Sequence, residues 1–241
     1  GKRRSNWEFP PGGTPALPRR VAADVPYYYR MQGNFPATDD TPRDPSHFDE
    51  FCVTAPSDSR LPNGGNYQVC GLYDQNPTKL PFGTPSNSIV YINNPVEKQT
   101  STWQGVDLVV NARFGNGFVS GGFDTGRSVT ANCGFLNKPA TGTSGPAQFC
   151  ASDTPYLTQI KASAAYTLPW QNVQIAAALQ SLPPRQIEAT RTYSNAEILP
   201  SLKRNLASGP TGTMNVDLIA PGTMYGDRLN QLDLRVSKIF R

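Results

Sequence analysis

Residues 101–133 read STWQGVDLVVNARFGNGFVSGGFDTGRSVTANC. Apolar and polar side chains alternate up to Phe114, a Gly-Asn-Gly turn follows at 115–117, and alternation resumes. Period two on both sides of a short glycine turn predicts an antiparallel hairpin. Val106, Leu108, Val110, Ala112 and Phe114 fall on one face, with Asp107, Asn111 and Arg113 on the other. In the second strand Val119 and Phe123 oppose Ser120, Asp124 and Gly126. One face is greasy, and the other is too polar for an ordinary core.

The same pattern recurs along the chain. VAADVPYYYRM (21–31) sets Val21, Ala23, Val25, Tyr27, Tyr29 and Met31 against Asp24, Tyr28 and Arg30. LTQIKASAAYTL (157–168) sets Ile160, Ala162, Ala164, Tyr166 and Leu168 against Gln159, Lys161, Ser163 and Thr167. VQIAAALQ (173–180) sets Val173, Ile175, Ala177 and Leu179 against Gln174 and Gln180. NQLDLRVSKIF (230–240) sets Leu232, Leu234, Val236 and Phe240 against Gln231, Asp233, Arg235 and Ser237. A short first strand is expected in NWEF (6–9). The reading is all-β, with about seven antiparallel up-and-down strands.

Connection lengths alternate. LPRR (17–20), GNG (115–117) and PWQN (169–172) are short turns. Long, irregular loops are expected near 40–98, 130–156 and 181–227. Counted along the chain, the short turns fall at one end and the long loops at the other. That asymmetry belongs to outer-membrane barrels, with short periplasmic turns and long extracellular loops. Trp103, Trp170, Tyr166 and Tyr27 lie near strand ends, where an interfacial girdle would place them. An odd strand number does not close a bacterial barrel, and the chain stops directly after LRVSKIFR. The expectation is an incomplete part of a large transmembrane β-barrel. A soluble, secreted sandwich-like binding module is the alternative, because a sandwich also alternates.

Composition agrees with turn-rich β structure. Gly (21) and Pro (23) together approach a fifth of the 241 residues, well above ordinary usage. No apolar run reaches the length of a transmembrane helix, but a transmembrane strand needs only about 9–11 residues. Residues 1–30 hold no apolar stretch of signal-peptide type. The net charge of +4 is mild and the basic residues are scattered, which gives nucleic-acid binding little support. The basic run GKRR (1–4) reads as a solvated end. Cys52, Cys70, Cys133 and Cys150 lack metal-site spacing. Four cysteines admit three connectivities. The local pairs Cys52–Cys70 and Cys133–Cys150 are the reading adopted, each worth about 3 kcal/mol and implying an oxidising compartment.

DSRLPNGGNYQVCGLYDQNP (58–77), WQGVDLVVNARFGNGFVSGGFDTGRSVTANC (103–133), FCASDTPYLTQIKASAAYTLP (149–169) and APGTMYGDRLNQLDLRVSKIFR (220–241) occur in this order. Together they resemble the C-terminal β-barrel of TonB-dependent outer-membrane receptors, in the group with an N-terminal carboxypeptidase-regulatory-like domain. NWEF and LPRRVAADVPYYYR resemble the upstream hairpin of that barrel, with a departure at PPGGTPA (10–16), where the family has a regular strand. The resemblance spans nearly the whole chain. It implies uptake of a ligand across the outer membrane through a plug and a TonB box, neither of which is recognisable here. The partners implied are outer-membrane lipid, the remainder of the barrel with its plug, and, through that plug, the TonB complex. Asp107, Asn111, Arg113, Asp124, Gln159, Lys161, Asp233 and Arg235 would then face a wet lumen, and the apolar faces would meet lipid.

No catalytic constellation is expected, and no cofactor. His47 sits in RDPSHFDEF (43–51) without a nucleophile motif and reads as a solvated loop histidine. The carboxylates of Asp39, Asp40, Asp44, Asp49 and Glu50 could hold Ca²⁺, but lack EF-hand spacing. Asp124-Thr125-Gly126 matches the aspartic-protease tripeptide, yet lies inside an alternating strand and reads as chance. GNG is not a phosphate loop, since no helix follows it. Tyr67, Tyr73 and Asp74, with Gln68 and Asn76, are candidate ligand contacts on an outer loop or, equally, loop-packing residues.

Overall fold

The structure, a computed structural model, describes residues 3–13, 20–40, 42–80, 87–92, 99–133 and 145–238. The hairpin read from the opening stretch forms as β8 (Thr100–Phe114) and β9 (Gly117–Ala131), paired in unbroken antiparallel register. Its two-residue turn begins at Gly115, whose φ of +49° suits a residue without Cβ. Around it lie β1 (Ser5–Phe9), β3 (Val21–Gly33), β11 (Leu157–Leu168), β12 (Val173–Leu182) and β15 (Leu229–Lys238). The sheet order is β1-β3-β8-β9-β11-β12-β15, antiparallel at every step. Consecutive wall strands are neighbours throughout, so this is an up-and-down meander. Among the described residues it is an open sheet, not a closed barrel.

Of the departure at 10–16, residues 14–16 lie outside the described residues, and 10–13 are a break in one strand. β2 (Gly12–Gly13) pairs with Pro26 and Val25 in the register that β1 establishes with Phe9 and Tyr29. Pro10 and Pro11 interrupt the ladder because proline offers no N–H. The carbonyl of Pro11 still accepts from Tyr27 N–H at 2.9 Å.

Register makes one face continuous. Trp7 pairs with Met31, Ala23 with Val110, Val110 with Gly121, Ala162 with Gly121 and Leu179, and Leu179 with Leu232. Large apolar side chains of this face are exposed on every wall strand, reaching 72% at Leu234 and 71% at Val236 on the edge strand, while Val106, Leu108, Val110 and Phe123 at its centre are half-buried. At about 4.8 Å between strands and about 3.3 Å per residue, the face covers on the order of 1,000 Å². Soluble monomers rarely expose more than a few hundred. Phe240, expected to extend the face, lies outside the described residues.

Among the described residues, the three long segments carry regular structure where irregular loops were expected. The first insertion, 34–99, carries the ribbons β4 (Pro36–Asp40) with β7 (Ser88–Ile92) and β5 (Phe48–Thr54) with β6 (Gln68–Gln75). The second, 132–156, adds β10 (Ala151–Asp153) to β9. The third, 183–228, holds β13 (Thr190–Ser194), α1 (Asn195–Leu202) and β14 (Thr213–Asp217). The wall-strand ends that carry the insertions lie together, as the pairings Gln32–Ser101, Ser101–Thr130, Leu157–Gly126 and Leu182–Leu229 require.

The hydrophobic core sits in this cap rather than in the sheet. Phe51, Val53, Val69 and Leu72 of the first insertion pack with Tyr193, Ile198, Leu202, Val216 and Ile219 of the third. Among the described residues, Ala165 is the one buried apolar side chain contributed by a wall strand. α1 starts where Ser194 N–H donates to Glu197 Oε2 at 2.8 Å, the S-x-x-E arrangement that satisfies a helix start. Ile198 and Leu202, four apart, then share its buried side. Cys52–Cys70 ties β5 to β6, and Cys133–Cys150 closes the second insertion. No helix among the described residues is long and apolar enough to cross a membrane, a test that says nothing of strands.

Candidate functional site

The face opposite the apolar one is polar from strand to strand. Asp107 pairs across the ladder with Asp124, and Asp124 with Gln159. Lys161 pairs with Gln180, and Ala178 and Ala176 pair with Asp233 and Arg235. Asn111 pairs with Ser120, whose hydroxyl donates to Asn111 Oδ1 at 2.6 Å, and Arg113 pairs with Phe118. Alternation therefore brings all eight of the polar residues singled out from the sequence onto one face. Asp107, Asp124, Lys161 and Asp233 line an open hollow of about 780 Å³. Asp124-Thr125-Gly126 lies inside β9, and Thr125 Oγ1 shares a 2.7 Å hydrogen bond with Thr158 Oγ1.

Trp103 is the exception to the expected girdle. It lies on the polar face, as counting in twos from Asp107 requires. Its ring fills the space where a side chain at Gly105 or Gly126 would stand: a Cβ on either would come within 2.6 Å of the indole. Tyr28 flanks it, with ring centroids 6.3 Å apart. The cross-strand pair Gly105–Gly126 thus serves as the seat for an aromatic slab, which explains part of the glycine content of β9.

The candidate ligand contacts of the first insertion are engaged inside the cap. Tyr67 donates its hydroxyl to the Leu218 carbonyl at 2.5 Å. Asp74 Oδ2 accepts from Arg204 Nη1 at 2.5 Å and from Ala207 N–H at 2.9 Å. Tyr73 stands across the ribbon from Glu50, and burial followed by the Glu50 charge pushes its hydroxyl pKa up. His47 Nδ1 accepts from Asp44 N–H at 3.1 Å, closing a single helical turn. Of the acidic cluster, Asp40 pairs with Arg43, and Asp44 accepts from Ser46 N–H. Among the described residues no group of three or more metal-ligating side chains comes together.

Arg204 was not flagged by the sequence. It bridges Asp49 at 2.8 Å and Asp74 at 2.5 Å, joining the third insertion to the ribbon of the first. Lys79 adds a 3.0 Å contact to Asp49. Burial alone would raise the Asp49 carboxyl. Hydrogen bonds from Arg204 and Lys79, with their charges, outweigh it and hold Asp49 below its ordinary 3.8. In the connection between β5 and β6, at the other end of that ribbon, the Arg60 guanidinium, and then its backbone N–H, hold Asp58 at about 2.

Both carboxylates bind fewer protons folded than unfolded at acid pH, so their contribution is complete above the ordinary value. It fades as pH falls through the depressed folded values. The protection factors of the Val53 and Val69 amides, taken relative to the intrinsic exchange rate at each pH, are expected to fall from about pH 4 downward. Arg204→Gln is expected to weaken protection at neutral pH and to flatten that acid dependence. An unchanged acid profile in the variant would assign the loosening to other groups.

Comparisons with protein-family models, curated proteins and solved structures found no match for this chain.

Proposed function

We propose that this chain supplies part of the wall, and an outer cap, of a TonB-dependent receptor in the bacterial outer membrane, which takes up a ligand rather than catalysing a reaction. The observation that carries the reading is the uncovered apolar face of a seven-strand meander whose insertions all leave from one end. Val106 to Phe114 spans nine residues, matching the about 9–11 that cross a bilayer as a tilted strand. The band is bounded by amphipathic side chains at both ends. Toward the insertions Tyr27 donates to Gln104 and Gln104 to Tyr156, beside the Arg127–Asp153 pair. Toward the turns Phe114 stacks on Tyr166, and Trp170 is exposed. The polar face is the lumenal one in this reading, and the disulfide-braced cap is extracellular. The lipid, the remaining strands with their plug, and the TonB complex acting through that plug are its partners.

A soluble secreted binding module requires a second sheet over the apolar face. The other ribbons among the described residues belong to the cap. Depth-dependent quenching separates the two readings. With the chain in liposomes of mid-chain brominated lipid, Leu179→Trp is expected to be quenched strongly and Gln180→Trp weakly. Cooperative folding of a monodisperse chain in detergent-free buffer, without lipid partition, would overturn the membrane reading.

A further inference from the structure

The polar face is electrically divided along the strands. Its upper part carries Asp107, Asp124 and Asp233 around Lys161. At the short-turn end the sign reverses. Arg113 N–H donates to the Arg20 carbonyl at 2.9 Å, one position beyond the paired Val21 and Ala112. Both arginines are exposed, and both line a second hollow of about 710 Å³. Asn111, Asn116 and Gln174 add carboxamides to its wall, and Phe118 adds an aromatic surface. Among the described residues no carboxylate lines it and neither arginine forms an ion pair.

Like charges on adjacent positions of paired strands repel and destabilise the sheet. Two guanidinium groups also offer ten N–H donors in forks suited to a carboxylate or phosphate. A buried or bound counter-charge converts this repulsion into attraction. We propose that the short-turn end of the polar face is an anion-binding site, with Arg20 and Arg113 clamping the oxyanion of a phosphate or carboxylate ligand. The carboxamides complete the hydrogen bonds, and Phe118 carries the ligand's apolar part. The acidic upper hollow repels the same ligand, which confines it to the turn end. The proposal requires only the folded chain and is independent of which solvent covers the apolar face.

The test uses the full chain in whichever medium holds it folded, detergent micelle or plain buffer, at constant ionic strength set with chloride. Inorganic phosphate and succinate are titrated separately by calorimetry. Saturable binding of one of them is expected, weakened about tenfold or more by Arg20→Gln and by Arg113→Gln. Arg113→Lys, which keeps the charge and loses the fork, falls between. Arg30→Gln serves as the control, because Arg30 sits on the same face already paired with Glu8 at 3.0 Å. Tighter phosphate binding assigns a phosphate-bearing ligand, and tighter succinate binding a carboxylate. In the same chloride medium without phosphate or succinate, Arg113→Gln is expected to keep or raise the thermal midpoint, since it relieves repulsion, so lost binding is not lost folding. Absence of saturable binding to both anions, or equal weakening by Arg30→Gln, would overturn the site.

Discussion

Leu179→Arg will destabilise the chain in a bilayer by about 2–4 kcal/mol, the cost of a cation near the midplane of a barrel's lipid face. Leu179 occupies an interior wall strand, flanked by Ala162 and Leu232, and is 43% exposed without touching any second layer. The next residue, Gln180, points to the other face beside Lys161 and donates to Gln231 at 2.8 Å. Gln180→Arg is expected to cost less than about 1 kcal/mol, as surface changes do. Denaturant titration of both variants refolded into liposomes measures the difference. The contrast between adjacent positions is the informative quantity, because strand propensity is nearly shared. Equal costs at the two positions would remove the sidedness on which the membrane reading stands.

The second large effect lies in the cap. Ile198→Ala will destabilise it by about 2–5 kcal/mol, the range for emptying a fully buried aliphatic site. Ile198 is 0% exposed and packs among side chains from both the first and third insertions. The neighbourhood resists collapse. Tyr193 hydroxyl is tied to the Thr54 carbonyl at 2.8 Å, and Ser201 Oγ accepts from Cys52 N–H at 2.9 Å. Hydrogen exchange should register the loss at Val53, Val69 and Val216 while leaving Ala164 and Ala177 of the wall protected. Uniform loss of protection across cap and wall would show one cooperative unit instead of two. Exposed Leu199, one position along the same helix, is the matched control.

The division between wall and cap also describes how much of the protein is legible without coordinates. Face assignment in the wall needs only alternation, because a strand's side chains point to opposite faces by backbone geometry alone. Asp107, Asp124, Lys161 and Asp233 could therefore be grouped across four strands. Trp103 obeys the same count, and placing it by nearness to a strand end rather than by parity put it on the wrong face. Four cysteines admit three connectivities, among which sequence alone does not select; the local pairs that were read, each joining positions fewer than 20 residues apart, are the ones that form.

The cap was not legible in this way. Its core joins residues far apart in the chain, such as Tyr67 with Leu218, 151 positions on, and Thr54 with Tyr193, 139 positions on. Short alternating runs such as FDEFCVT and the S-x-x-E of Ser194 to Glu197 announce a ribbon and a helix start. They do not announce which surfaces meet. The Arg204 bridge to Asp49 and Asp74, and the approach of Arg20 to Arg113, depend on the same long-range pairing. A local repeat and the direction of the chain are enough to fix the two-sided wall and the end from which its insertions leave. That the insertions close on a core of their own, and that two arginines share a hollow, emerges in the folded chain alone, because contacts between distant segments carry no periodic signature.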